Sequence, residues 1–239
     1  MDSTDKTYLY KFVFPDGRRM DFHITLDDTA HYRGSDKEVV PEWTCLSYQR
    51  CAHCRLPENE NSHCPVAVNI ADLVTAFRDM VSHDSCTVTC VSADRTVSKE
   101  TLVQDGLRSI MGIIMATSGC PALDILRPMA WFHLPFANVD ESLYRSASTY
   151  LLRQYFNAQS GAAPDFQLEE IKTLYHHIER VNQGMLERIR QATVLDADRN
   201  AIVILNSLAQ ILNLEIDSGL DRLRPLFCQT GETLPPDFR

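Results

Sequence analysis

Tyr8-Leu-Tyr-Lys-Phe-Val-Phe-Pro-Asp-Gly-Arg-Arg-Met-Asp-Phe-His-Ile-Thr-Leu26 decides how the first half of the chain folds. Aromatic and β-branched residues fill Tyr8 to Phe14, which suits a pleated, half-buried surface. Pro15-Asp16-Gly17 is a turn signal, and Met20 to Leu26 alternates apolar and polar. The stretch predicts a β-hairpin. A second hairpin is expected from Ser85-Cys-Thr-Val-Thr-Cys-Val91 and Thr96 to Val103, turning at Ser92 to Arg95. Cys86 and Cys90 are an even number of residues apart, so they share one strand face.

Around the hairpins the period becomes helical. Ile70, Leu73, Val74, Phe77 and Val81 form one stripe, with Asn69 as the expected N-cap. Leu107, Ile110, Met111, Ile114 and Met115 form another, ending near Gly119. Glu141 to Phe156 predicts a helix with Leu143, Ala147, Leu151 and Tyr155 on its inner side. Glu42 to Tyr48 is read as a short strand, and Asp124 to Arg127 as a helical turn. Gln-Ser-Gly-Ala-Ala-Pro164 is a boundary signal. Beyond it, Leu168, Ile171, Leu174, Ile178, Val181, Met185 and Ile189 predict one long amphipathic helix. Ile202, Leu205, Leu208 and Leu212 predict a second, and Leu220, Leu223 and Leu226 a last short one. The Pro-rich end is expected to be loose.

The fold class is therefore α+β. Two β-hairpins and a cysteine knuckle pack on helices in residues 1–156, and residues 165–239 make a helical C-terminal domain or helical hairpin. The long helix is too long for its neighbour to cover, so a two-fold homodimer through the C-terminal helices is expected to bury the rest.

Cys51-Ala-His-Cys54, a polar loop, then His63-Cys64-Pro65 carry the most specific chemical signal. A CxxC turn presents two sulfurs from one loop, and zinc prefers tetrahedral thiolate and imidazole sets. Cys51, Cys54 and Cys64 supply three ligands. The fourth is sought among Cys120, Cys45, His53 and His63. His63 ranks low because it must turn away from its neighbour Cys64. Zinc is the first expectation. An iron–sulfur cluster is the alternative, since two Cys-Pro elements and a CxxC also fit four thiolates. Buried thiols without a metal are the plain reading. A dithiol redox site is disfavoured, because Pro57 and a polar loop follow the CxxC where a helix should begin.

Composition narrows the function. The 239-residue chain is 44% hydrophobic and 23% charged, values ordinary for a soluble protein. Its net charge of -9 argues against general nucleic-acid binding. An acidic, polar start lacks a leader pattern, and no apolar run reaches membrane-span length, so a cytoplasmic protein without membrane contact is expected. There, eight cysteines are ligands or buried thiols rather than disulfides. His133, within Trp131-Phe-His-Leu-Pro-Phe136, is read as a core histidine with one hydrogen-bonded nitrogen before a catalytic base. His176 and His177 are adjacent on a helix and point about 100° apart, so they cannot easily share an ion. The sequence holds no phosphate-loop, GxSxG or HExxH pattern.

Cys51 to Asn69, Met115-Ala-Thr-Ser-Gly-Cys-Pro121, Leu126-Arg-Pro-Met-Ala-Trp-Phe-His-Leu-Pro-Phe136 and Arg199 to Gln210 together resemble an uncharacterised bacterial protein family of unknown function. The resemblance implies no activity. It pairs the knuckle with the later Ser-Gly-Cys-Pro element, which favours Cys120 over Cys45 as fourth ligand. The expected function is a metal-stabilised scaffold or interaction protein, more plausibly non-enzymatic, that docks a partner or itself. A redox or iron–sulfur protein using the cysteines near His133 is the alternative.

Overall fold

The computed structural model describes residues 5–34, 40–192 and 196–227. β1 (Lys6–Val13), β2 (Arg19–Leu26), β3 (Ser85–Ser92) and β4 (Thr96–Leu102) form one antiparallel sheet in the order β2-β1-β3-β4. Both predicted hairpins are present, and they join through β1 and β3, where Tyr10 stands opposite Phe22 on one side and Cys90 on the other. Strand alternation then puts Tyr8, Tyr10 and Phe12, Cys86, Val88 and Cys90, and Ile24 and Leu26 on the buried face. The two β3 cysteines thus do share a face, as small apolar fillers of the core.

α2 (Val103–Ala116) follows β4 directly and lies against that face. Gly106 permits the approach: a Cβ there would sit 2.6 Å from Phe12 Cε1 and 2.9 Å from Val88 Cγ2. α1 (Pro65–Phe77) packs beside it, and Phe77 meets the rings of Phe12 and Phe22 at 5.1 and 5.2 Å. α1 starts earlier than its apolar stripe suggests. Cys64, not Asn69, is the N-cap, because Pro65 brings a fixed φ and no N–H to the first helical position. Glu42–Thr44 is a 3-10 turn rather than a strand. The amides of Thr44 and Cys45 bond back to Pro41 and Glu42, leaving only an isolated Cys45–His63 bridge of extended pairing.

A second 3-10 turn at Asp124–Leu126 leads into the short α3 (Arg127–Trp131). α4 (Val139–Gln159) opens with a reciprocal cap between Asn138 and Glu141. Its buried side is Leu143, Ser146, Ala147, Tyr150 and Gln154, while the expected Leu151 and Tyr155 are 37% and 51% exposed. Polar residues win those positions because Tyr150 and Gln154 bond Asp165 and tie down the following loop. α5 (Glu169–Ala192) and α6 (Ala197–Asp217) form a helical hairpin. α6 packs on α2, and α5 touches α1 and the Glu42–Thr44 turn, so one apolar core runs from the sheet into the C-terminal helices. The α5 stripe from Ile171 to Ile189 is buried within the chain. An uncovered stripe, the ground for expecting a second copy there, is therefore absent. Leu220 to Leu226 contributes a 3-10 turn at Arg224–Leu226, and the Pro-rich end lies outside the described residues.

Candidate metal centre

The loop between Thr44 and Cys64 is closed at its base. Leu46 N–H donates to Ser62 C=O, and Cys64 N–H donates to Thr44 C=O. Within the loop, the Arg50 guanidinium donates to Glu58 at 2.6 Å and to the carbonyls of Leu56 and Cys54 at 2.7 and 3.3 Å. The CxxC turn itself closes through Cys54 N–H to Cys51 C=O at 3.0 Å. These bonds fold a polar segment with few apolar anchors back over α1 and α5.

Cys51, Cys54, Cys64 and Cys120 all line one cavity of about 30 Å³. They come from three segments. The first two sit on the loop, Cys64 on the cap of α1, and Cys120 on the turn after α2, where the amides of Leu123 and Asp124 bond back to its carbonyl. The structure therefore brings together the four cysteines selected from sequence. It does not set them as a finished ligand shell: among the described residues, no three His, Cys, Asp or Glu side chains stand in metal-holding geometry. The rival fourth ligands are elsewhere or peripheral. The Cys45 sulfur faces His63 Nε2 at 3.8 Å, and neither lines this cavity. His53 lines its rim and meets the His177 ring edge-on at 5.7 Å.

Electrostatics at the cavity are one-sided. Burial, reinforced by the neighbouring Cys64, pushes the Cys51 thiol up to about 11, and the Arg188 guanidinium opposes this. Burial also raises Cys64 and Cys120, while backbone amides just after each cysteine pull them back down. Arg55 and Arg180 line the cavity and no carboxylate does. An anionic sulfur cluster would thus meet positive charge on several sides, in a chain whose net charge is -9.

α5 supplies the wall through His177, Arg180 and Val181, and Gly184 and Arg188 continue the His177–Val181 face of the helix. Gly184 is a close approach: a Cβ there would lie 2.6 Å from Cys51 Sγ. Arg188 is 1% exposed, and its guanidinium donates to the carbonyls of Trp43 and Cys45 at 2.7 Å each and of Leu46 at 3.1 Å. Its Nε has no partner among the described residues. This buried cation anchors the base of the cysteine loop to the C-terminal helices. Both residues escaped the sequence reading, although each left a signal. Gly184 interrupts a run of good helix formers, and Arg188 is a charge in phase with Val181 and Met185 on the buried stripe.

His133 lies in a different cavity from the cysteines. The Tyr10 hydroxyl and His133 Nε2 share a hydrogen bond, and Tyr8 O–H donates to the Trp131 carbonyl at 2.7 Å, so the inner face of β1 grips the segment after α3. Burial, aided by the Arg145 charge, lowers the His133 pKa to about 3; the ring is part-buried with Nε2 hydrogen-bonded. His176 is exposed and His177 half-buried against the loop, the division their adjacency required.

No helix of the described residues is long and apolar enough to cross a membrane. No curated protein and no solved structure matches the chain significantly. A family model does match, over residues 8–228, which carry all of the sheet but the first two residues of β1, together with the cysteine cavity and α1 to α6: the chain belongs to the family described as a domain of unknown function (DUF6901).

Proposed function

We propose that Cys51, Cys54, Cys64 and Cys120 bind one zinc ion, and that the ion stabilises a cytoplasmic scaffold or interaction protein rather than completing an active site. The observation carrying this reading is the convergence of the four cysteines, from three chain segments, on one cavity of about 30 Å³. Such a space holds two or three water-sized bodies at most, since a water needs roughly 10–15 Å³. That suits a single ion better than a cluster bringing its own sulfides. Zinc–sulfur bonds near 2.3 Å require the sulfurs to close in as the ion loads. The role is structural because all four positions are taken by protein, leaving no open site for a substrate. Seven described cysteines are free thiols, which supports a reducing compartment.

Self-association belongs to the same reading, through apolar residues that the C-terminal part leaves exposed. Val203, Ile211 and Leu214 fall near one face of α6, and Leu214 is 69% exposed. Elemental analysis with an absorption spectrum tests the metal. Colourless protein with one zinc supports the proposal, brown protein with iron and labile sulfide replaces it with an electron-transfer site, and metal-free protein indifferent to chelators overturns it. Light scattering tests the assembly, where a mass near 27.2 kDa means a monomer.

A further inference from the structure

A cavity of about 160 Å³ lies among α2, α4, α5, α6 and residues 123–134, and it shares no lining residue with the cysteine cavity. Most of its wall is apolar. Three features go beyond packing. Asn182 of α5 lines it, is 3% exposed, and its side chain has no hydrogen bond to a described side chain, so an amide with two donors and an acceptor is open to the space. Gly112, in the interior of α2, also lines it. A Cβ there would meet nothing nearer than Leu205 Cδ2 at 4.0 Å, so no neighbour requires glycine, and what the missing side chain provides is room. The charged side chains in the wall are Arg108 and Arg145, with no carboxylate among the lining residues. The buried Nε of Arg108 has no hydrogen-bond partner among the described residues.

We propose that this cavity binds a small monocarboxylic acid with an apolar tail. The Asn182 amide donates to the carboxylate, Arg108 and Arg145 offset its charge, and the tail occupies the space beside Gly112. Size follows from volume: an apolar cavity near 150 Å³ takes benzene, so the ligand has roughly six to ten non-hydrogen atoms. A cation is disfavoured by the two arginines, and a fully apolar guest would leave Asn182 unpaired. This site is independent of the zinc reading.

The test uses the full chain, with benzoate and hexanoate as probes and toluene as the neutral comparison, read by calorimetry and by protein NMR. Both carboxylates should bind, and more tightly than toluene. Asn182→Leu should weaken benzoate about tenfold or more, the usual effect of losing a hydrogen bond to a charged group, and leave toluene unchanged. Gly112→Leu should fill the cavity and abolish binding. Should that variant not fold, Gly112→Ala, which has space for its methyl, should weaken both carboxylates. Toluene binding as tightly as benzoate would reveal a mere apolar void and overturn the proposal, as would failure of both carboxylates to bind.

Discussion

Replacing Gly184 by alanine separates two opposing effects. Alanine inside a helix is more favourable than glycine by about 0.8–1 kcal/mol, so a helix without neighbours gains stability. In this fold the new Cβ would stand 2.6 Å from Cys51 Sγ, against roughly 3.5–4 Å for a relaxed non-bonded contact. Something must move by about 1 Å, and overfilling a packed interior costs about 1–3 kcal/mol. The clash should therefore outweigh propensity by about 1 kcal/mol, a fall in melting temperature of roughly 2–4 °C. Moving the Cys51 sulfur should also weaken zinc. The diagnostic step is a double-mutant cycle with Cys51→Ala. Without the sulfur, the nearest atoms to the new methyl are Cys51 Cβ and Cα at 3.6 and 3.7 Å, ordinary contact distances. In that background Gly184→Ala should stabilise. Calorimetric melting of the four proteins, each at one zinc equivalent and again in chelator, gives the cycle. If Gly184→Ala is equally stabilising with and without the Cys51 sulfur, α5 does not seat the knuckle as described.

Cys54→Ser should release the metal and lower the melting temperature by roughly 5–10 °C, since metal-binding energy is folding energy; wild type and variant should converge in chelator, and a parent protein without zinc refutes this. Arg188→Met leaves three carbonyls of the loop base without their donor, each unpaired acceptor costing about 1–3 kcal/mol before relaxation, and should weaken zinc binding as well. A stable Arg188→Met protein with unchanged zinc affinity would remove the anchoring role. Asp198, at the start of α6, is buried with no hydrogen-bond partner for either oxygen among the described residues, and desolvation raises its pKa to about 8. The folded protein keeps a proton that the unfolded chain releases near pH 4, so this contribution is full below that pH and is lost as pH rises toward 8. The stability gained by Asp198→Asn should then grow by ~1.4 kcal/mol per unit between pH 6 and pH 8, and a gain flat across that range, measured by urea titration, contradicts a protonated native carboxyl.

The elements legible in the sequence are those whose side chains obey one period. β1 and β2 were bounded by a Pro-Asp-Gly turn and alternating aromatics, and α5 by its three-and-four spacing, because burial on one face imposes that spacing directly. Misreadings arose where a residue served two purposes. Cys64 reads as a ligand, so its place as helix cap was hidden, although Pro65 beside it marks a first helical turn. On α4 the buried positions include Ser146, Tyr150 and Gln154 because they bond other side chains and the loop after the helix. A pattern of apolar residues cannot report such a face.

The candidate site divides along the same line. Three of its cysteines lie within fourteen residues, and their spacing alone suggests a thiolate knuckle. Cys120 is distant in sequence, and only the way α2 crosses the sheet delivers its end to the loop. Gly106 sets how closely α2 meets the sheet, and so where Cys120 arrives. Gly184 then sets how closely α5 meets Cys51, and Arg188 fixes the loop base to the same helix. Two glycines and a buried arginine thus determine whether four thiols share one cavity, and none of the three is a ligand. Sequence spacing identifies groups that can hold an ion; the absence of side chains where α2 meets the sheet and where α5 meets Cys51 lets them come together.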